Sequence, residues 1–231
     1  MSLKRYVMPV FWPLERKTKK YALKLLPGPH NSKTSMPIGI FLRDAMKFAG
    51  TMKEAKELVN RGLIKVDGIT RRDVKFPVGF MDIITIGKET YLALPKKNGM
   101  RFLKSAAATK LAKISNKTVL KKGRMQLNLY NGRNIIAETG EYSTGDTLMI
   151  DVQTGTIKGV LKMKTGSHGL ILEGKNVGTS GKIKKMISTT GSESEIIVLE
   201  SEGKDVVVPK DYVFVIGEDS PVINVAETRG E

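Results

Sequence analysis

The sequence predicts a multidomain α+β protein, with its helices gathered in one small α/β module near the N-terminus and short strands filling the rest. Three observations carry that expectation. Apolar residues recur at helical spacing between residues 36 and 62. From Pro95 onward, short β-rich runs alternate with turn residues, the pattern of barrels and sandwiches rather than of parallel α/β sheets. The excess charge is also divided sharply. The 231 residues carry 39 Lys+Arg against 23 Asp+Glu, net +16, yet residues 1–124 hold 28 basic and 8 acidic groups while residues 125–231 hold 11 and 15.

Composition excludes several classes at once. A hydrophobic content of 40% supports buried cores, so this is no disordered polycation. With no cysteine, disulfides, thiolate–metal sites and thiol catalysis are all absent. Two histidines, His30 and His168, leave little for imidazole relays. The apolar run 7–14 is broken by Pro9 and Pro13 and followed by Arg16-Lys17, unlike a secretory core, so a cytoplasmic protein is expected.

The charge points to a polyanion. Residues 90–137 contain 11 Lys/Arg and no acid, and seven basic residues run from Arg16 to Arg43, again without an acid. Such stretches repel on compaction unless a phosphate backbone supplies the counter-charge. Nucleic acid is the expected partner, with an anionic membrane the lesser one and a solvated basic face the plain alternative.

Residues 1–36 read as an extended basic arm. Pro9, Pro13, Pro27 and Pro29 break any helix, while Lys4, Arg5, Arg16, Lys17, Lys19 and Lys20 are candidate RNA contacts. Lacking periodic apolar residues, the arm is expected to be mobile until RNA orders it. Phe11 and Trp12 either stack on the partner or pin the arm to the protein's own core.

Residues 37–95 form the module. Ile38, Phe41, Leu42, Ala45, Met46 and Ala49 make a helical stripe, with Pro37 in its first turn and Gly50 expected as its left-handed cap. Thr51 and Glu54 then form a capping box, Ala55, Leu58 and Val59 the next apolar face, and Gly62 the stop. Ile64-Lys65-Val66 is a strand, Asp67-Gly68 a two-residue turn, and Ile69-Thr70 the return. Residues 76–86 close the module with a buried strand. Arg43, Lys47, Lys53, Lys56, Arg61 and Lys65 are spaced so that several project from helices and hairpin toward a phosphate backbone.

Residues 96–165 make a β-rich central domain. It opens with a basic segment carrying Arg101 and Lys104 and a short helix expected over residues 106–112. Asn131-Gly132 is a hairpin turn, and strands are expected over 147–152 and 156–163. Residues 166–231 make a last β domain, with strands over 170–172, 195–200 and 205–208, a polar loop tip at 188–194, and His168 in a turn. Its segment 174–183 is not a phosphate loop: Asn176 stands where the Walker pattern requires Gly, and Ile183 where it requires Ser or Thr. No Gly-x-Gly triplet exists for a dinucleotide fold.

Two pieces resemble known RNA-binding elements. The helix–turn–helix–hairpin with Ala55, Leu58, Gly62, Val66 and Gly68 resembles the RNA-binding module named after bacterial ribosomal protein S4. It departs from that pattern in having Met52-Lys53 after the cap and adjacent Arg43-Asp44. Residues 174–183, with Gly178 and Gly181, resemble the KOW motif of small SH3-like barrels, whose loop and basic side chains (here Lys175, Lys182, Lys184 and Lys185) meet RNA or protein.

Together these parts resemble the archaeal and eukaryotic small-subunit ribosomal protein family S4e, the archaeal type by length. The resemblance rests on Gly28-Pro29-His30, Ile40-Phe41-Leu42-Arg43, Ile64-Lys65-Val66-Asp67-Gly68, Pro77-Val78-Gly79-Phe80-Met81-Asp82, Asn131-Gly132-Arg133 and segment 174–183. It implies a non-catalytic structural protein contacting small-subunit ribosomal RNA and neighbouring ribosomal proteins. It implies no cofactor, metal, membrane or small-molecule substrate. His30 either hydrogen-bonds RNA or braces the turn of the arm. The alternatives are a KOW-containing transcription or RNA-chaperone factor and, less so, an RNA-modifying enzyme, for which residues 96–231 lack a catalytic constellation.

Overall fold

A computed structural model describes residues 3–97, 99–105, 109–137, 140–187, 195–201, 203–218 and 220–222. The chain divides into two compact units, residues 1–110 with 152–154, and residues 111–151 with 155–231. Among the described residues it is mostly β, and helix is confined to residues 38–45 and 52–60 apart from single 3-10 turns. The helical share is therefore smaller than the α+β expectation.

In the first unit the arm contributes β1 (Leu3–Lys4) and β2 (Tyr21–Ala22), which pair antiparallel. β3 (Ser35–Pro37) leads into α1 (Ile38–Ile40), whose last turn widens into a π-turn over Phe41–Ala45. The Met46 amide bonds back to Phe41 and the Phe48 amide to Leu42. The helix thus ends five residues before the expected Gly50. Lys47, at φ 56°, is the left-handed residue instead, a reversal that brings the Phe48 ring to 5.9 Å from Tyr91.

α2 (Met52–Asn60) is bounded as its sequence dictates. Thr51 and Glu54 satisfy each other's backbone amides, and Gly62 exits at φ 75°. β4 (Ile64–Val66) and β5 (Ile69–Thr70) flank Asp67 and Gly68, at φ 50° and 75°, the pair of positive values a tight hairpin needs. β6 (Pro77–Gly79) pairs with β3, so the single closing strand expected over 76–86 is in fact two. They are parted by a reversal at Met81, φ 60°. β7 (Ile83–Ile86), β8 (Glu89–Lys96) and β9 (Gly99–Lys104) complete a sheet of order β5-β4-β7-β8-β9.

The arm is not a free extension. Met8 and Trp12 are buried with Ile38, Phe41, Leu42, Val59 and Ile84, and the Trp12 indole donates to the Ser35 carbonyl at 3.0 Å. Of the two readings of Trp12, the structure takes the anchoring one. A large aromatic buried with its N–H satisfied repays much of the arm's ordering entropy. The expectation that RNA alone orders the arm is corrected accordingly.

Among its described residues the second unit forms two five-stranded sheets. β10 (Thr109–Val119), β11 (Met125–Leu129), β12 (Asn134–Ala137), β13 (Thr147–Asp151) and β14 (Ile157–Leu161) take the order β12-β11-β10-β13-β14 around Ile114, Leu127, Leu129 and Leu148. The helix expected over 106–112 is not formed where the chain is described. Residues 109–112 begin β10, whose pairing outweighs the helical preference of alanine, and residues 106–108 lie outside the described residues.

β15 (His168–Ile171), β16 (Ser180–Ile187), β17 (Ile196–Ser201), β18 (Lys204–Pro209) and β19 (Val213–Gly217) take the order β18-β17-β16-β15-β19 around Ile171, Ile183, Leu199 and Val213. His168 opens a strand rather than sitting in a turn. The loop tip expected at 188–194 lies outside the described residues.

Candidate nucleic-acid interface

The rigid frame of the first unit is a buried ionic cluster. Lys110, 3% exposed, places its ammonium 2.6 Å from Asp67 Oδ2 and 2.6 Å from Asp82 Oδ1. Asp82 Oδ2 accepts the Gly79 amide at 2.9 Å and lies 2.8 Å from His30 Nε2, while Asp67 Oδ1 accepts the Ile83 amide at 3.1 Å. Burial alone would push the Asp82 carboxyl up, but Lys110, then His30, reverse the sign and hold it well below the ordinary carboxylate range. For Lys110, burial presses down and the two aspartates more than restore it, leaving it above the ordinary lysine value. The cluster joins the arm, the hairpin turn and the Met81 reversal.

Gly79 allows this closeness, since a Cβ there would stand 2.3 Å from His30 Cγ. His30 is thus a bracing residue, not an exposed one. Arg5 is likewise turned inward, donating to the Glu15 carbonyl at 2.8 Å and to the Thr18 hydroxyl, and only 6% exposed. Neither side chain presents itself to a large partner, which corrects their placement among the RNA contacts.

The other sequence-chosen cations of this unit lie outward. Lys4, Arg16, Lys17, Lys19 and Lys20 are exposed on the arm, Lys47 after α1, Lys53 and Lys56 on α2, and Lys65 on β4. Arg61 is exposed but pairs with Glu57 one helical turn away, at 2.6 Å. Arg43 is half-buried and engages Asp44 through Nη2 at 2.9 Å and Nε at 3.1 Å. Lys104 reaches Glu89 at 2.5 Å, and Arg101 is half-buried, its guanidinium lowered by burial. A cleft of about 570 Å³ between the arm and the end of α1 gathers Lys19, Arg43 and Lys47, with Arg5 in its wall, against two carboxylates, Glu15 and Asp44. Residues far apart in sequence thus converge on one basic recess.

In the second unit, Lys175 and Lys182 are exposed, and Lys184 is held by both oxygens of Asp205 at 3.0 Å. Gly178, at φ 82°, makes the tight loop expected of it, and Gly181 permits close strand approach, for a Cβ would lie 2.3 Å from the Glu200 carbonyl oxygen. Sequence reasoning missed Lys113. It is buried and donates to the carbonyls of Lys210 (3.1 Å), Asp211 (2.8 Å) and Val213 (2.8 Å), tying β10 to the start of β19. Burial pushes its ammonium down to about 8, against the opposing pull of Asp211.

Among the described residues no helix is long and apolar enough to cross a membrane. Among the same residues no group of three or more His, Asp or Glu side chains is arranged to hold a metal ion.

Comparison with known proteins agrees with this geometry. Family models match successive stretches up to residue 157: the RS4NT (NUC023) domain over residues 1–33, the S4 domain over 36–84 and ribosomal family S4e over 88–157. The small ribosomal subunit protein eS4 of Methanothermobacter thermautotrophicus is 40% identical over 230 residues, covering 96% of this chain and 95% of that protein. The chain belongs to ribosomal family S4e. The eS4 protein of Aeropyrum pernix is 38% identical over 242 residues, covering 97% of this S4e chain and 95% of its own. The crystal structure of the 30S ribosomal protein S4e from Thermoplasma acidophilum superimposes with a TM-score of 0.71 at 31% identity, over 80% of this chain and 96% of that one. S4e is a family of structural ribosomal proteins, and no enzymatic role attaches to it.

Proposed function

We propose that this chain is a structural constituent of the small ribosomal subunit that binds ribosomal RNA, and that it serves translation on the cytoplasmic ribosome. The observation that carries the reading is identity of about 40% along nearly the whole chain to proteins named for that subunit. The exposed cations of the arm and S4 module supply the chemistry: Lys4, Arg16, Lys17, Lys19, Lys20, Lys47, Lys53, Lys56, Arg61 and Lys65 are the phosphate contacts, with Arg43 in the recess. Phosphate contacts of this kind fix register and orientation rather than sequence.

Arg101, Lys104, Lys175, Lys182 and Lys184 are secondary contacts; Lys104 and Lys184 must first leave Glu89 and Asp205. Residues 166–231 act as the KOW, SH3-like part, its Gly178–Gly181 loop meeting RNA or a neighbouring ribosomal protein. Arm 1–36, module 37–95, central region 96–165 and last region 166–231 are the functional divisions in this reading. A transcription or RNA-chaperone factor is disfavoured by the ribosomal relatives matched along the chain.

Sedimentation of native lysate tests the proposal. The tagged chain is expected with small ribosomal subunits and is released by ribonuclease. Migration with RNA polymerase, or in no particle, would contradict it.

A further inference from the structure

The arm also lines a second cavity, of opposite character. It measures about 690 Å³, and its walls are apolar: Val7, Pro9, Val10 and Phe11, with Trp12 at the base. Lys24, Lys33 and Lys97 stand among its lining residues, Ser32 adds a hydroxyl, and no carboxylate lines it. Val7 and Val10 are 67% and 83% exposed, so apolar surface is left in water where an ordered arm need not leave it.

We propose that this cavity receives an unpaired base of the bound RNA, with Lys24, Lys33 and Lys97 holding the flanking phosphates. The inference rests on the RNA-binding reading and gives it a base-accepting site beyond phosphate contact. A nucleotide is a flat apolar face attached to an anion, and single-stranded recognition combines those two needs in one place. The cavity meets both: Val7, Pro9, Val10 and the half-buried Phe11 ring for the π face, and three lysines with no carboxylate in the lining for the backbone. Stacking of this kind tolerates any base, because every base has a π face. A free apolar peptide would satisfy the walls alone and leave three lysines without a counter-charge.

Trp12 is the chain's single tryptophan, so its emission reports on this cavity. The intact protein is titrated with a ten-residue oligoadenylate, with an abasic strand of equal charge, and with an acidic–apolar peptide, (Glu-Leu)5. The oligoadenylate is expected to change Trp12 emission and to bind about five-fold or more tighter than the abasic strand. Val7→Ser with Val10→Ser is expected to abolish that difference and leave abasic binding unchanged, both positions being too exposed to threaten the fold.

Equal affinity for the oligoadenylate and the abasic strand overturns the inference, as does a difference that survives the double substitution. A response to the peptide but not to the oligoadenylate assigns the cavity to a protein neighbour and overturns it too. If ribosomal RNA still binds with steep salt dependence in those cases, only the base cavity fails; if it does not bind, the RNA reading falls with it.

Discussion

Replacing Lys110 by Met separates the ionic cluster from everything else in the first unit. The substitution keeps the length of the side chain but takes the ammonium away from Asp67 and Asp82, while the Ile83 amide still reaches Asp67 and the Gly79 amide and His30 still reach Asp82. Removing one member of a buried ion pair costs about 3–5 kcal/mol, and here one ammonium serves two carboxylates at 2.6 Å each. For a unit of this size such a loss lowers the melting temperature by about 12–20 °C. Trp12 lies in this unit, so urea and thermal unfolding followed by its emission read the unit directly.

The effect should depend on pH with a definite sign. In the unmutated chain the Asp82 pKa is lowered, so its contribution is present above the ordinary carboxylate range and lost only as pH falls through the lowered value. The Lys110 pKa is raised, so its contribution holds below the ordinary lysine range and is lost above it. Without Lys110, burial pushes the Asp82 carboxyl up, so the penalty is greatest at neutral pH and shrinks on acidification. Adding Asp67→Asn and Asp82→Asn should recover much of the loss, since no unpaired charge then remains buried. A cost under about 1 kcal/mol for the single change, or a triple variant no better than the single, would refute the cluster as the frame of the unit.

Gly79→Ala forces His30 off Asp82 and should destabilise the same unit by about 1–3 kcal/mol in thermal unfolding. Lys113, lowered to about 8, predicts that stability of the second unit rises from about pH 8 toward the ordinary lysine range, where the unfolded chain still holds the proton that the folded chain has released. Lys113→Met should lack that rise in circular-dichroism melts across the interval. Lys53→Glu with Arg61→Glu should weaken ribosomal RNA binding while the melting temperature hardly moves, because both side chains are exposed and the Arg61–Glu57 pair is a surface one; the opposite pattern would make them structural.

What the sequence made legible is what local chemistry decides. α2 was bounded correctly because Thr51, Glu54 and Gly62 act within one turn of where they stand, and the β4–β5 hairpin because Asp67-Gly68 adopts positive φ on its own account. The end of α1 was not, since its π-turn serves a contact between Phe48 and Tyr91, which are far apart in sequence. The packing of the arm is not legible for the same reason: Met8 and Trp12 have no periodicity, and their burial depends on a core that α1 and β7 build.

The site divides likewise. Which half of the chain is basic follows from counting, and so does the exposure of most arm and module lysines. Which cations are already spoken for does not, because Lys104–Glu89 and Lys184–Asp205 are products of strand register and Lys110 lies 43 residues from Asp67. The signal that was available is an aspartate in each of two stretches carrying the family resemblance, Asp67 before Gly68 and Asp82 three residues after Gly79. Aspartate in an otherwise apolar segment asks for a buried partner, but nothing in the sequence singles out Lys110, which lies in a segment that reads as helical and folds as β10.

The salt dependence of RNA binding tests the central claim most directly. Six to ten phosphate contacts would lower affinity about 10³–10⁵-fold between about 50 and about 200 mM salt, somewhat less on structured RNA. Two variants of the full chain divide that slope: one with Lys17, Lys19, Lys20, Lys47, Lys53 and Lys56 changed to Gln, the other with Lys175, Lys182, Lys184 and Lys185 changed to Gln. Titrated against small-subunit ribosomal RNA, the first is predicted to lose about four to five units of logarithmic slope and the second far less. A larger loss in the second, or binding that ignores salt in the unmutated chain, would contradict an RNA interface built on the arm and the S4 module.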